Sequence, residues 1–163
     1  MTAAPASANV VGVYRTRIEW IDTDAAGIYH NSTVVRFVEA AEASLMAGLG
    51  LHDYFAAAPR VRYEVDFESP LVFGQEVRTV VELVRIGTSS MTFAFEVRGE
   101  EFRGRPGGRA AHGRYVTVHI GRDRASGAVS VPWPEEWVAA LTGPVGSTGA
   151  VRSCDRGPAY SLE

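Results

Sequence analysis

Between Trp20 and Leu45 the sequence reads WIDTDAAGIYHNSTVVRFVEAAEASL, with Asp22, Asp24, Gly27, His30 and Asn31 standing before an amphipathic run. Polar groups at that place have a chemistry open to them that an ordinary surface loop lacks. The first amides of a helix find no partner inside it, and they carry the positive end of its dipole. A carboxylate beside them can activate a water or attack a carbonyl itself, while the amides hold the oxyanion. Asp24 precedes Asn31 by seven residues, with Gly27 free to turn the chain back between them. The competing reading gives Asp24 an Asx turn and no chemistry. Asp22 is expected to shape the loop. Asn31 and Ser32 are expected to cap the helix, which does not conflict with activity, because only some of the first amides need a cap. His30 is a candidate acid, set against a plain surface position.

These residues need elements to hold them. Val11 to Trp20 mixes β-branched and aromatic residues and reads as a strand. From Ser32 to Ala47, Val34, Phe37, Val38, Ala41 and Leu45 recur at the spacing of one helix face, with Gly48 as the stop. Then the period changes to two. VRYEVDF (61–67) puts Val61, Tyr63, Val65 and Phe67 on one side, and MTFAFEVR (91–98) does the same with Met91, Phe93, Phe95 and Val97. Strands are also expected at 77–86 and 113–120, and one or two helical turns at 135–141. Gly- and Pro-rich turns separate them. The order is one strand, a loop, a long helix and then four or five antiparallel strands, an α+β pattern in which the sheet covers one face with its single helix. One domain is expected over 10–142, with flexible tails at 1–9 and 143–163.

Composition narrows the function. The chain has 163 residues, 46% of them apolar, enough for one domain with a real core. Its net charge of -3 argues against nucleic acid as a partner. All basic side chains are arginine, so no lysine is available for Schiff-base chemistry. Cys154 is the only cysteine, and no basic start precedes an apolar stretch at the N-terminus. No apolar run approaches a membrane span, and a cytoplasmic protein is expected. There is no Gly-x-Ser-x-Gly elbow, no phosphate-binding Gly-Lys-Ser/Thr loop and no histidine spacing suited to a metal.

DTDAAGIYHNSTVVRFVEAAEAS resembles the N-terminal signature of the hotdog-fold acyl-CoA thioesterases of the 4-hydroxybenzoyl-CoA thioesterase type, through Asp22, Asp24, Gly27, Ile28, Phe37 and Glu39. FESPLVFGQEVRTVVELVRIGTSSMTFAFEV resembles the second signature of that family. The likeness runs from about residue 10 to 133. It implies hydrolysis of an acyl-CoA or acyl-carrier-protein thioester, with coenzyme A as part of the substrate and no other cofactor. It implies the hotdog fold, a five- or six-stranded antiparallel sheet wrapped around one long central helix, paired into a homodimer and often a homotetramer. It makes Asp24 the essential carboxylate, with helix-start amides near His30 and Asn31 polarising the carbonyl. One departure is that His30 and Asn31 stand where many members carry an aromatic residue, which makes that wall polar.

Further assignments follow from the likeness. Gly27, Ile28 and Tyr29 are expected to border the substrate. Glu39 is the alternative carboxylate, because some members carry theirs on the helix; it sits roughly 120° from the centre of the apolar stripe. Glu42 is expected on the flank. Ser89 and Ser90 of GTSS are either a plain turn or the lining of a pantetheine channel. Arg105, in the arginine-rich RGRPGGR tip, either stands on a solvated hairpin tip with no ligand or is a candidate for the phosphates of coenzyme A. A hotdog hydratase or dehydratase pairing His30 with Asp24, and a non-catalytic binder of acyl-CoA or an aromatic ligand, are the alternatives.

Overall fold

The computed structural model describes residues 10–121 and 127–143, and the backbone of 151–155. Strand β1 (Val11–Arg17) leads through a 3-10 turn at Trp20–Asp22 into the long helix α1 (Asn31–Gly48). A short helix α2 (Tyr54–Ala57) precedes the strands β2 (Arg60–Phe67), β3 (Glu76–Ile86), β4 (Ser90–Gly99) and β5 (Gly108–Val118). Helix α3 (Glu135–Thr142) and strand β6 (Val151–Asp155) follow. Among the described residues no helix is long and apolar enough to cross a membrane.

The six strands form one sheet in the order β2-β5-β4-β3-β1-β6. Every neighbouring pair is antiparallel except β1 and β6, which run parallel. β1 to β5 form the antiparallel sheet expected, and the backbone of Val151–Asp155, inside the segment expected to be a loose tail, adds a sixth strand. The reason is the open edge of β1, whose unpaired backbone groups β6 covers from Val11 to Arg15. The expected tail at 1–9 and the rest of the C-terminal one lie outside the described residues.

Helix α1 forms where the apolar spacing puts it. Val34, Phe37, Val38, Ala41 and Leu45 are each 0% exposed. Burying a large side chain of this kind contributes about 1.5–3 kcal/mol. The Tyr14 ring of β1 meets Phe37 at 6.0 Å between centroids. One position lets the helix come down onto the strand. A Cβ on Gly12 would lie 2.4 Å from the Ala41 carbonyl oxygen and 2.8 Å from the Leu45 Cβ. The helix also ends later than expected. Gly48 is its last residue, and the stop is Gly50 at φ 73°. There the Leu51 N–H donates to the Met46 carbonyl at 2.9 Å and the Gly50 N–H to the Ala47 carbonyl at 3.1 Å, the Schellman arrangement.

The alternation in β4 holds throughout, with Met91, Phe93, Phe95 and Val97 all buried. The alternation in β2 fails at its first member. A bulge between Arg60 and Arg62 sets Arg60 opposite Thr117, and Val61 is left 61% exposed. The bulge therefore exchanges Val61 for Arg60 on the inner face. The cause lies on α1. Glu42, expected on the flank, is buried, and Arg60 forms an ion pair with it.

Candidate active site

Asp22 fastens the loop to the helix. It is buried, its Oδ2 accepts from the Glu19 N–H at 2.8 Å, and its Oδ1 is ion-paired with Arg36. Its carbonyl accepts from the His30 N–H at 2.6 Å and from the Thr33 hydroxyl at 3.2 Å. Every strong acceptor on this residue is engaged, which fits the structural role expected of it.

Asp24 sits on the exposed side of the same loop. Its backbone N–H donates to Ile28 at 2.9 Å, and its carbonyl accepts from the Gly27 N–H at 3.0 Å. Gly27 holds φ 75°, a left-handed conformation that glycine adopts freely. The Asp24 Oδ1 accepts from the Ala26 N–H at 2.8 Å, so the Asx turn is present. The other carboxylate oxygen has no partner among the described residues. One oxygen thus shapes the turn, and the other is left over. Bridges from Thr23 to Tyr29 and from Ile28 to Val72 brace the loop.

The helix start can be taken amide by amide. The Tyr29 N–H donates to Leu71 at 2.8 Å and the His30 N–H to Asp22. His30, not Asn31 or Ser32, is the N-cap. Its ring Nδ1 accepts from the Ser32 N–H at 3.2 Å and lies 2.7 Å from the Ser32 hydroxyl. Accepting at Nδ1 puts the proton of the neutral ring on Nε2. The Thr33 N–H donates to the His30 carbonyl at 2.9 Å. Only the Asn31 N–H is taken by no group among the described residues, and Asn31 is exposed. Of the amides near His30 and Asn31, the Asn31 N–H is thus the one left without a partner among the described residues.

The remaining candidates separate. Ile28 is half-buried, and Tyr29 is buried with its ring 6.3 Å from Phe67 and its hydroxyl donating to Ala110 at 3.3 Å. Burial pushes the Tyr29 phenol up to about 12. Arg105 lies on the 100–107 hairpin tip, bridged to Phe102, at the end of the sheet that carries the loop. Ser89 and Ser90 lie at the other end, where β3 turns into β4. The Ser89 carbonyl there accepts from His119 at 2.9 Å. In one chain they do not join Asp24. Glu39 is exposed and ion-paired with Arg60 at 2.8 Å.

One polar cluster escaped the sequence. Glu42 accepts from the Tyr54 hydroxyl at 3.1 Å, and that hydroxyl lies 2.8 Å from the Thr117 Oγ1. The Arg60 guanidinium stands 4.8 Å over the Tyr115 ring. Burial raises the Glu42 carboxyl above its ordinary value, against the pull of Arg60 and Tyr54. The signal was present in the spacing, because Glu42 follows the buried Val38 by one helical turn.

The architecture, one helix wrapped by a curved sheet, is the hotdog fold. It is shared with a 4-hydroxybenzoyl CoA thioesterase from Pseudomonas sp. strain CBS-3 at TM-score 0.72 and 16% identity, covering 80% of this chain and 98% of that one. It is shared too with a 1,4-dihydroxy-2-naphthoyl-CoA thioesterase from Synechocystis at TM-score 0.69 and 17% identity, covering 82% of this chain and 96% of that one. In sequence, the chain is 27% identical over 93 residues to a 1,4-dihydroxy-2-naphthoyl-CoA hydrolase of Thermosynechococcus vestitus. That match covers 53% of this chain and spans 64% of the relative. The model of the thioesterase-like superfamily matches residues 18–141, and the chain belongs to that family.

Proposed function

We propose that this protein hydrolyses an acyl-CoA thioester, with Asp24 as the reacting carboxylate and the Asn31 N–H as the oxyanion donor. The observation that carries the reading is the pair of unused groups in one braced loop: an Asp24 oxygen and the first amide of α1. Asp24 either takes a proton from the attacking water or adds to the carbonyl itself. In both cases the carbonyl oxygen gains charge, the amide holds it, and collapse breaks the C–S bond; the leaving thiolate takes up the proton that Asp24 drew from the water, or one from solvent, and an anhydride formed on Asp24 by direct addition is then cleaved by water. Losing one such donor typically costs about 2.7–4 kcal/mol of barrier. Coenzyme A enters as part of the substrate, and no resident cofactor is needed for these steps.

The relatives named for 4-hydroxybenzoyl and 1,4-dihydroxy-2-naphthoyl groups favour an aromatic acyl group here. A homodimer is part of the proposal. The site loop is open surface in one subunit, and β2 is an edge strand with Val61 and Phe67 exposed. Phe67 touches Tyr29, directly before the N-cap. A second copy paired along β2 would wall the site and cover that edge. A homotetramer and a cytoplasmic location complete the proposal.

Release of free thiol from aromatic and aliphatic acyl-CoAs, read with a thiol dye, tests it. Turnover of an aromatic member is expected. Hydration of enoyl-CoA with no thiol released would replace hydrolysis with hydratase chemistry, and saturable binding without turnover would make the protein a binder.

A further inference from the structure

The loop that carries Asp24 hangs at both ends from one short turn. At its entry the Ile18 N–H donates to the Gln75 carbonyl at 2.9 Å, and the Ile18 carbonyl accepts from the Gly74 N–H at 2.9 Å. At its exit Ile28 is bridged to Val72, and the Tyr29 N–H donates to the Leu71 carbonyl at 2.8 Å. Asp22, ion-paired with Arg36, ties the same loop to α1. The loop is thus stretched between a helix clamp and a sheet clamp. A shift of residues 71–75 against the sheet would carry Asp24 with it and change its place relative to the Asn31 N–H.

The Gln75 N–H closes the turn by donating to the Val72 carbonyl at 3.0 Å. The Gln75 side chain, 4% exposed, fastens the turn from inside. Its Oε1 accepts from the Val72 N–H at 3.2 Å, and its Nε2 donates to the Glu100 carbonyl at 2.9 Å. Glu100 is itself pinned to β3, its N–H donating to the Glu76 carbonyl at 2.9 Å. A buried amide is costly unless both of its ends are satisfied, and here each end meets one main-chain group. Space is kept for it. A Cβ on Gly99 would lie 2.6 Å from the Gln75 Nε2 and 2.6 Å from the Leu71 Cδ2. Packing alone would be met by an apolar side chain of like volume. The amide adds direction, joining the turn to the sheet at a fixed angle.

We propose that Gln75 is a positioning residue for the reaction. Buried, it meets no substrate; it sets Asp24 against the Asn31 N–H by locking the turn from which the loop hangs. The proposal rests on the thioesterase reading and adds a residue to the support of that site.

Amide hydrogen exchange and turnover, both measured on the full chain, test it. Gln75→Met fills a similar volume and removes both side-chain hydrogen bonds. Exchange of the Asp24 and Tyr29 amides should speed at least about tenfold, beyond any change at Phe95 in mid-β4. Turnover per folded molecule should fall at least about tenfold with KM within about twofold of wild type, because a misplaced reacting group costs rate rather than binding. In Gln75→Glu the neutral acid can donate to Glu100 and accept from Val72, whereas the carboxylate has no proton for Glu100. Burial favours the neutral form, so the kcat of this variant relative to wild type should climb as pH falls. Taking the ratio cancels the titration of Asp24 itself. Leu141→Ala, a core change in α3, is the control for lost stability and should keep its turnover per folded molecule. Unaltered exchange at Asp24 and Tyr29 in Gln75→Met would overturn the proposal. So would faster exchange with full kcat, an equal loss of kcat in Leu141→Ala, or a Gln75→Glu ratio that climbs as pH rises. No thiol release by the wild type would end the thioesterase reading and with it the catalytic half of this one, while exchange would still decide whether Gln75 holds the loop.

Discussion

Asp24, just before α1, and Glu42, about three turns along it, are carboxylates on chain packed against the same sheet, but they differ in what is left over. Asp24 is exposed, uses one oxygen for a turn and keeps the other free. Glu42 is buried and gives its oxygens to Arg60 and Tyr54. The lesson is one of capacity. A buried carboxylate has to be matched group for group, and then nothing remains for a substrate. A carboxylate with unused hydrogen-bonding capacity beside an exposed helix start is free to meet a substrate, and its removal leaves the packing alone.

The comparison breaks most visibly at Glu42. Glu42→Ala leaves the half-buried Arg60 with Glu39 alone and takes the acceptor from the buried Tyr54 hydroxyl, and should cost about 3 kcal/mol in urea unfolding, with little change in turnover per folded molecule. A normal denaturation midpoint would show that the cluster holds nothing together. Asp24→Asn should do the reverse, cutting kcat at least about a hundredfold, or about 2.7 kcal/mol of barrier, with the melting temperature unchanged. An active, normally folded Asp24→Asn variant would remove the carboxylate from the mechanism. His30→Ala lies between them. Loss of the N-cap should cost about 1 kcal/mol of stability, and the turnover that remains reports whether His30 has any role beyond capping.

The smallest effect is the pH dependence of Glu42. Its folded-state value is raised, so the folded protein holds this proton more tightly than the unfolded chain does. The contribution to stability is full below the ordinary carboxylate value and is lost as pH rises through the raised one. The stability advantage of wild type over Glu42→Gln should therefore shrink with rising pH across that window, read as a difference in melting temperature. A growing advantage would reverse the sign assigned to burial.

What could be read beforehand was what depends on local period. The helix stripe from Val34 to Leu45 and the alternation from Met91 to Val97 are both buried as their spacing required. The loop from Asp24 to Asn31 was also legible, because a carboxylate, a glycine and a helix start lie close in the chain. What was missed depends on partners far away in sequence. Val61 turned outward because Arg60 had to reach Glu42, and no pattern within VRYEVDF contains that need. Ser89 and Ser90 form the plain turn that was one of their two readings, and the strand lengths carry them to the end of the sheet away from Asp24. β6 was unread because its pairing is with the first strand of the chain. His30 displaced the expected caps because Asp22 takes its N–H and fixes where the helix begins.

The contact at Gly12 makes β1 a pivot for the chemistry. Ala41, the residue it touches, is ten positions from Asn31, an arm of about 15 Å. Any side chain at Gly12 would lift the helix there and swing its far end. Activity can thus be retuned by a substitution that touches no substrate, and alanine at this position is where a search for altered turnover without altered binding groups should begin.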